Sequence, residues 1–135
     1  MTQIKLLFAV FGDLLMPEVL GDILKLSPTS FWHRGDLVPN RKNGLVRKET
    51  CWEYSLSFIQ TSNFEDVSNQ FLKLIIPNLN LLEKYICKNK LKTKIDIVVE
   101  IVNDEKPSLC IDKNLMDVML KLNGEIDIDL YYIEE

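Results

Sequence analysis

Three segments of this chain alternate between apolar and polar residues with a period of two. They are CWEYSLSFIQ (51–60), KTKIDIVVEIVN (92–103) and EIDIDLYYIEE (125–135). Successive side chains of a β-strand point to opposite faces of a sheet, so this period is typical of strands with one buried and one solvated face. The chain is therefore expected to build a sheet that packs its core on one side only.

Helical periodicity separates these strands. It predicts helices in MPEVLGDILKL (16–26), in two pieces around Pro77 within residues 64–90, and in KNLMDVMLKLNG (113–124). The short apolar run IKLLFAVFG (4–12) indicates a strand buried on both faces, and SFWHRGDLV (30–38) and SLCID (108–112) indicate weaker strands. The order is β-α-β-β-α-β-β-α-β. This order predicts an α+β fold with helices packed on one face of a mixed, mostly antiparallel sheet.

The length of 135 residues predicts a single α+β domain spanning residues 1–135. No apolar run reaches the ~18 residues that a membrane span needs. The start, MTQIKLLFAVFGDLL, lacks a small-residue cleavage site and is interpreted as the first strand rather than a signal peptide. Cys51, Cys87 and Cys110 form no CxxC pair and no zinc spacing, which favours a reducing compartment. We expect a cytoplasmic protein with no metal, no cofactor and no membrane partner.

Motifs that carry chemistry are absent from the sequence. There is no GxGxxG, GxxxxGK[ST], HExxH or GxSxG, and His33 is the single histidine. One nucleophile pairing stays open, because Cys51 and His33 flank the same loop. We expect no catalytic residues. The sequence favours a protein that is not an enzyme but leaves open an enzyme that uses Asp127 and Asp129 or Cys51 and His33.

Negative charge is concentrated near the carboxyl end. Residues 96–135 hold eleven Asp/Glu and three Lys, a net charge of −8 against −4 for the whole chain. Asp127, Asp129 and Tyr131 share one face of the last predicted strand. The two carboxylates, roughly 6.6 Å apart along a strand, could act as acid and base, hold a hard cation or protect a sheet edge. They could instead attract a basic protein partner, which makes these three residues the candidate partner-binding set.

Positive charge collects in the loop HRGDLVPNRKNGLVRKET (33–50), which has a net charge of +3. The overall pI of ≈ 5.1 argues against a nucleic-acid partner. Turn residues fill the middle of the loop, whereas its ends lie beside two tryptophans. A cleft there could take a small molecule or a small anion, or two neighbouring strands could simply share a core. The candidate ligand-binding residues are Trp32, His33, Arg34, Asp36, Arg47 and Trp52.

Several short features together resemble one known family. They are a first strand ending in Gly12, a helix starting near Pro17, Arg34-Gly35-Asp36, Trp52, and Asp129 followed by Tyr131. From about Ile4 to Tyr132 the chain resembles the bacterial domain-of-unknown-function family numbered 4279. The resemblance implies a small, single-domain, cytoplasmic bacterial protein, and it brings no activity, cofactor or catalytic residue.

Two hypotheses of function follow. The first is a non-enzymatic binding protein that presents an acidic surface to a protein partner. It is immunity-like by analogy with small acidic proteins that neutralise basic toxins. The alternative is a small-molecule or anion-binding domain that uses the aromatic and arginine cleft. The sequence leaves the oligomeric state and the order of strands in the sheet open.

Overall fold

The computed structural model describes all 135 residues. Its strands are β1 (Gln3–Phe11), β2 (Ser30–Trp32), β3 (Cys51–Gln60), β4 (Lys92–Val102) and β5 (Gly124–Ile133). Its helices are α1 (Pro17–Leu24), α2 (Glu65–Ile75), α3 (Leu79–Lys88) and α4 (Lys113–Lys121). A 3₁₀ turn, Ile76–Asn78, separates α2 from α3 at Pro77, because proline has no N–H to continue the helical ladder.

The five strands form one sheet in the order β2-β3-β1-β4-β5. β1 lies in the centre and runs antiparallel to both β3 and β4, and β2 runs antiparallel to β3. β4 and β5 are parallel and are joined through α4. The predicted α+β class, with a mixed and mostly antiparallel sheet, is confirmed.

A single core fills the space between the sheet and the helices. Its 24 buried residues include alternate positions of β1 (Ile4, Leu6, Phe8, Val10) and of β4 (Ile95, Ile97, Val99, Ile101). The apolar stripes of the helices belong to the same cluster, for example Leu20 of α1, Phe71 of α2, Ile86 of α3 and Leu115 of α4. The helices therefore pack on one face, as the periodicity predicts, and the opposite face of the sheet has no helix on it.

The expectation that β1 is buried on both faces is wrong. Lys5 and Leu7, whose side chains point away from the helices, are only half-buried. Lys5 lies with its Nζ 4.9 Å from the centre of the Phe58 ring, a cation–π contact across the open face. The apolar run thus reflects the central position of β1, where its neighbours on both sides cover much of each side chain.

The strand expected at residues 108–112, the fifth of the six predicted strands, is also absent. Ser108 makes an isolated bridge to Asn63, and Asp112 accepts a hydrogen bond from Leu115 N at 3.0 Å as the amino-terminal cap of α4. Pro107 just before the segment lacks a donor, and the cap follows four residues after Ser108 in the chain. The segment therefore pairs through a single bridge and does not form a strand.

The second strand is shorter than expected because the chain turns at residue 33. His33 N donates to Asp36 Oδ2 at 2.7 Å, and Asp36 N donates to His33 O at 3.0 Å. The loop then folds back on itself through a bridge between Leu37 and Val46.

Candidate functional site

β5 forms a free edge of the sheet. Thr93 N donates to Asn123 O at 3.3 Å, and Asn103 N donates to Ile133 O at 3.0 Å. In a parallel ladder with these bonds, the backbone N–H and C=O groups of the odd-numbered residues of β5 point toward β4. The backbone N–H and C=O groups of the even-numbered residues therefore point away from the sheet, and no other strand pairs with them. Those residues are Gly124, Ile126, Ile128, Leu130 and Tyr132.

The open face of this strand carries the predicted acidic residues. Asp127, Asp129 and Tyr131 lie side by side there, opposite Asp96, Val98 and Glu100 of β4, respectively. All three are exposed, as their alternation predicts. The structure thus brings the three candidate partner-binding residues together on one surface, which we call the β5 acidic face and which also includes Glu125.

The two aspartates differ in their electrostatic surroundings. Lys94 Nζ lies 2.6 Å from Asp127 Oδ2 and 3.5 Å from Asp96 Oδ1. The hydrogen bond that Lys94 donates to Asp127 raises the pKa of its ammonium group, as does the negative charge of Asp96. Asp129 lies opposite the apolar Val98 and has no ion-pair partner. Asp129 therefore presents a full charge to solvent, and Asp127 presents a partly neutralised one.

The other face of β5 is apolar and largely uncovered. Ile126 packs against the core, but the side chains of Ile128, Leu130 and Tyr132 are 42%, 48% and 64% exposed. Their neighbours on β4 are buried. Sequence reasoning predicted the apolar face but missed its exposure, because alternation does not reveal how far a strand extends beyond the helix that covers it.

α4 covers only the start of the strand because the two elements meet at Gly124. A Cβ on Gly124 would lie 2.5 Å from Met119 Cε and 2.5 Å from Thr93 Oγ1. The close approach fixes where the helix ends and the strand begins. Beyond it, the apolar residues of β5 have no helix packed over them.

The candidate ligand-binding residues near the loop do not form one cleft. The Arg47 guanidinium carbon lies 3.8 Å from the centre of the Trp32 ring, and Arg47 Nε is buried without a hydrogen-bond partner. Trp52 is fully buried in the core. Phe31 pairs with Trp52, and Trp32 pairs with Cys51. Paired residues project to the same face, so the side chains of Trp32 and Trp52 lie on opposite faces of the sheet.

The remaining members of that set make local contacts. Arg34 Nη1 lies 3.2 Å from Asp13 Oδ2, with both side chains mostly exposed. His33 Nδ1 lies 3.8 Å from Asp36 Oδ2, within the turn that ends β2. An open groove of about 660 Å³ lies between α1 and this turn, lined by residues that include Glu18, Asp22, Lys25, Phe31 and His33. Of the six candidate ligand-binding residues, only His33 belongs to that lining.

Cys51 is buried in β3 and has an unreactive environment. Burial, together with the negative charges of Glu53 and Glu49, raises the pKa of its thiol to about 12. A neutral thiol is a poor nucleophile, so the pairing of Cys51 with His33 gains no support. No three His, Cys, Asp or Glu side chains lie together in a way that could hold a metal ion.

Comparison with known proteins gives one match. The model of a family described as a domain of unknown function (DUF4279) matches residues 2–133. No curated protein and no solved structure matches the chain. None of the helices is both long enough and apolar enough to cross a membrane.

Proposed function

We propose, for a chain that belongs to the domain-of-unknown-function family DUF4279, a non-enzymatic binding role in which the β5 acidic face engages a protein partner. The observation that carries this proposal is the placement of Asp127, Asp129 and Tyr131, exposed together on a strand at the free edge of the sheet. Asp129 is the strongest element, because no cation of the chain pairs with it.

The charge of the surrounding surface supports a basic partner. Asp96 and Glu100 of β4 lie on the same face as the acidic residues of β5. Lys94 is the cation that pairs with Asp96 and Asp127. Complementary charge steers association and selects against acidic competitors. An immunity-like role is the narrower form of the proposal, in which the partner is a basic toxin.

Charge reversal at Asp129 tests the proposal. Tagged wild-type protein and the Asp129→Lys variant are used to capture partners from an extract of the native cells at physiological salt. We expect a specific protein that is captured by the wild type and lost with the variant. Glu49→Lys is the matched control. It reverses the charge of an exposed carboxylate in the loop before β3, at the opposite edge of the sheet from β5. Equal capture by wild type and Asp129→Lys would contradict the proposal.

A second candidate function is the binding of a small anion near Trp32. The buried, unpartnered Nε of Arg47 favours it, because a buried donor without a partner is costly and an anion would satisfy it. Inorganic phosphate is the probe. A rise in melting temperature that is lost in Arg47→Ala and retained in Asp129→Lys would support an anion site, and no rise in the wild type would exclude phosphate as its ligand.

A further inference from the structure

We propose that the partner adds an extended segment to the free edge of β5, with apolar and basic residues alternating along that segment. This inference rests on the proposed function and names the geometry and the chemistry of the partner. It follows from three properties of β5, namely its backbone, its apolar face and its acidic face.

The backbone of β5 offers a long unpaired edge. The strand has ten residues, all in continuous register with β4. The N–H and C=O groups of Ile126, Ile128, Leu130 and Tyr132 point outward, and an added strand would satisfy them. Binding by strand addition draws its affinity from such main-chain hydrogen bonds and its specificity from alternate side chains.

The apolar face of β5 sets one half of the partner's pattern. In a paired strand, residues directly opposite each other project to the same face. Apolar partner residues opposite Ile128, Leu130 and Tyr132 would cover side chains that are 42–64% exposed in the free chain.

The β5 acidic face sets the other half of the partner's residue pattern. Partner residues between the apolar ones would lie opposite Glu125, Asp127 and Asp129. Opposite charges directly across a strand pair are favourable, and like charges are unfavourable. Lysine or arginine therefore fits these positions, and the resulting pattern is apolar and basic in strict alternation.

A second copy of this chain fits the edge poorly. In an antiparallel pair of two β5 strands centred on Asp127, Asp127 lies opposite Asp127. Centred on Ile128, the pair places Asp127 opposite Asp129, and centred on Asp129 it places Asp129 opposite Asp129. The central registers thus set carboxylate against carboxylate, which favours a partner of different sequence.

A synthetic peptide tests the inference directly. The probe is an end-capped peptide of alternating valine and lysine, matched to the ten residues of β5. Amide hydrogen exchange is measured by nuclear magnetic resonance with and without the peptide. We expect slower exchange at Ile126, Ile128, Leu130 and Tyr132, because their amides gain acceptors. Unchanged exchange at these four amides would overturn the inference.

Control peptides separate pattern from charge. A peptide of the same composition with its valines and lysines in two blocks, and an alternating valine–glutamate peptide, should each bind at least tenfold more weakly. A valine–lysine peptide methylated on the alternate backbone nitrogens that face β5 keeps charge and side chains but loses the donors. Equal binding of the methylated peptide would show that no strand is added.

Two variants of Ile128 form a matched pair. Ile128→Pro removes an outward N–H while leaving the bonds to β4, since proline is tolerated on edge strands where its nitrogen faces solvent. Ile128→Ala removes most of the side chain and keeps the N–H. We expect at least a tenfold loss of peptide affinity for Ile128→Pro and a smaller loss for Ile128→Ala. Should Ile128→Pro fail to fold, the methylated peptide gives the same information on the wild type.

Different results would overturn strand addition and the binding role of the β5 acidic face. A captured partner that depends on Asp129 but binds Ile128→Pro normally would leave the acidic-face proposal standing and overturn strand addition. If neither Asp129→Lys nor backbone methylation changed the affinity for the peptide, both the acidic-face proposal and strand addition would be overturned. A wild-type dimer in solution with its β5 amides already protected would overturn the partner and identify a second copy as the occupant.

Discussion

The two edges of the sheet are built in opposite ways. At one edge, β2 has only three residues, and β3 continues past it with a bulge where Ser57 and Phe58 oppose the single residue Lys5. At the other edge, β5 runs for ten residues with no irregularity in its pairing. Short edge strands and bulges are the usual means by which proteins prevent unwanted strand pairing. The β2–β3 edge uses both, and β5 uses neither.

Only charge protects β5, and charge is selective. Carboxylates on one face of an edge strand repel another copy of the same strand but attract a basic one. Under the proposal of strand addition, the same exposed edge disfavours self-association and accepts a partner of complementary sequence. An edge strand can thus be blocked sterically against all partners or electrostatically against some.

The largest expected effect contrasts buried and exposed side chains of the two edges. Trp52→Ala in β3 should cost about 3–5 kcal/mol in the free energy of unfolding, because Trp52 is fully buried. Ile128→Ala in β5 should cost only about 1 kcal/mol, since that side chain is already partly exposed. Urea unfolding measures both. Similar losses for the two variants would mean that the apolar face of β5 is covered in solution.

Alkaline pH should weaken the β2–β3 edge through Cys51. The folded-state pKa of about 12 lies above the ordinary value of 9.0, so this group's contribution is intact below pH 9 and falls as pH rises toward 12. Between these limits the wild type should lose stability relative to Cys51→Ala by up to about 1.4 kcal/mol per pH unit. Urea unfolding at pH 8 and pH 10.5 tests this, and a difference independent of pH would contradict it.

The stacked pair of Arg47 and Trp32 at the β2 end should contribute less to the free energy of unfolding. Arg47 lies over Trp32 at 3.8 Å, and a cation–π contact near the surface contributes about 0.5–1 kcal/mol. A double-mutant cycle with Trp32→Leu and Arg47→Gln should give a coupling energy of that size. Phe58→Leu with Lys5→Gln offers a comparison pair on the open face. A coupling near zero would show that the β2 end is not held by this stack.

The smallest stability effect is expected at Lys94. Its ion pair with Asp127 is partly exposed, and such pairs contribute between zero and about 1 kcal/mol. Lys94→Gln should therefore alter urea unfolding little. It should, however, tighten binding of the valine–lysine peptide, because Asp127 then presents its full charge. Lys121→Gln, which breaks a surface pair with Asp117 on α4, is the control and should leave peptide binding unchanged.

Much of the fold could be predicted from the sequence because burial imposes a period. Ile95, Ile97 and Val99 of β4 alternate with polar residues and lie in the core as expected. The same rule predicted that Asp127, Asp129 and Tyr131 share a face. The strand at 108–112 could not be rejected in advance, since a short apolar run looks alike in a strand and in the approach to a helix cap.

The candidate sites required the pairing register, which alternation does not supply. Trp32 and Trp52 are near each other in the fold, yet a shift of one residue in register decides whether their side chains share a face. Trp32 lies opposite Cys51, so the two rings lie on opposite sides of the sheet. Likewise, β4 and β5 have similar patterns, and only the strand order shows that β5 is the edge.

The tight junction at Gly124 has an evolutionary consequence. Thr93 Oγ1 donates to Leu122 O at 2.9 Å, so it has little freedom to move away from a Cβ at residue 124. Relatives that keep α4 and β5 in this geometry are expected to retain glycine at that position, while the outward residues of β5 drift with the sequence of each relative's own partner. In an alignment of the family, this would be seen as an invariant glycine at position 124 followed by a strand of variable sequence.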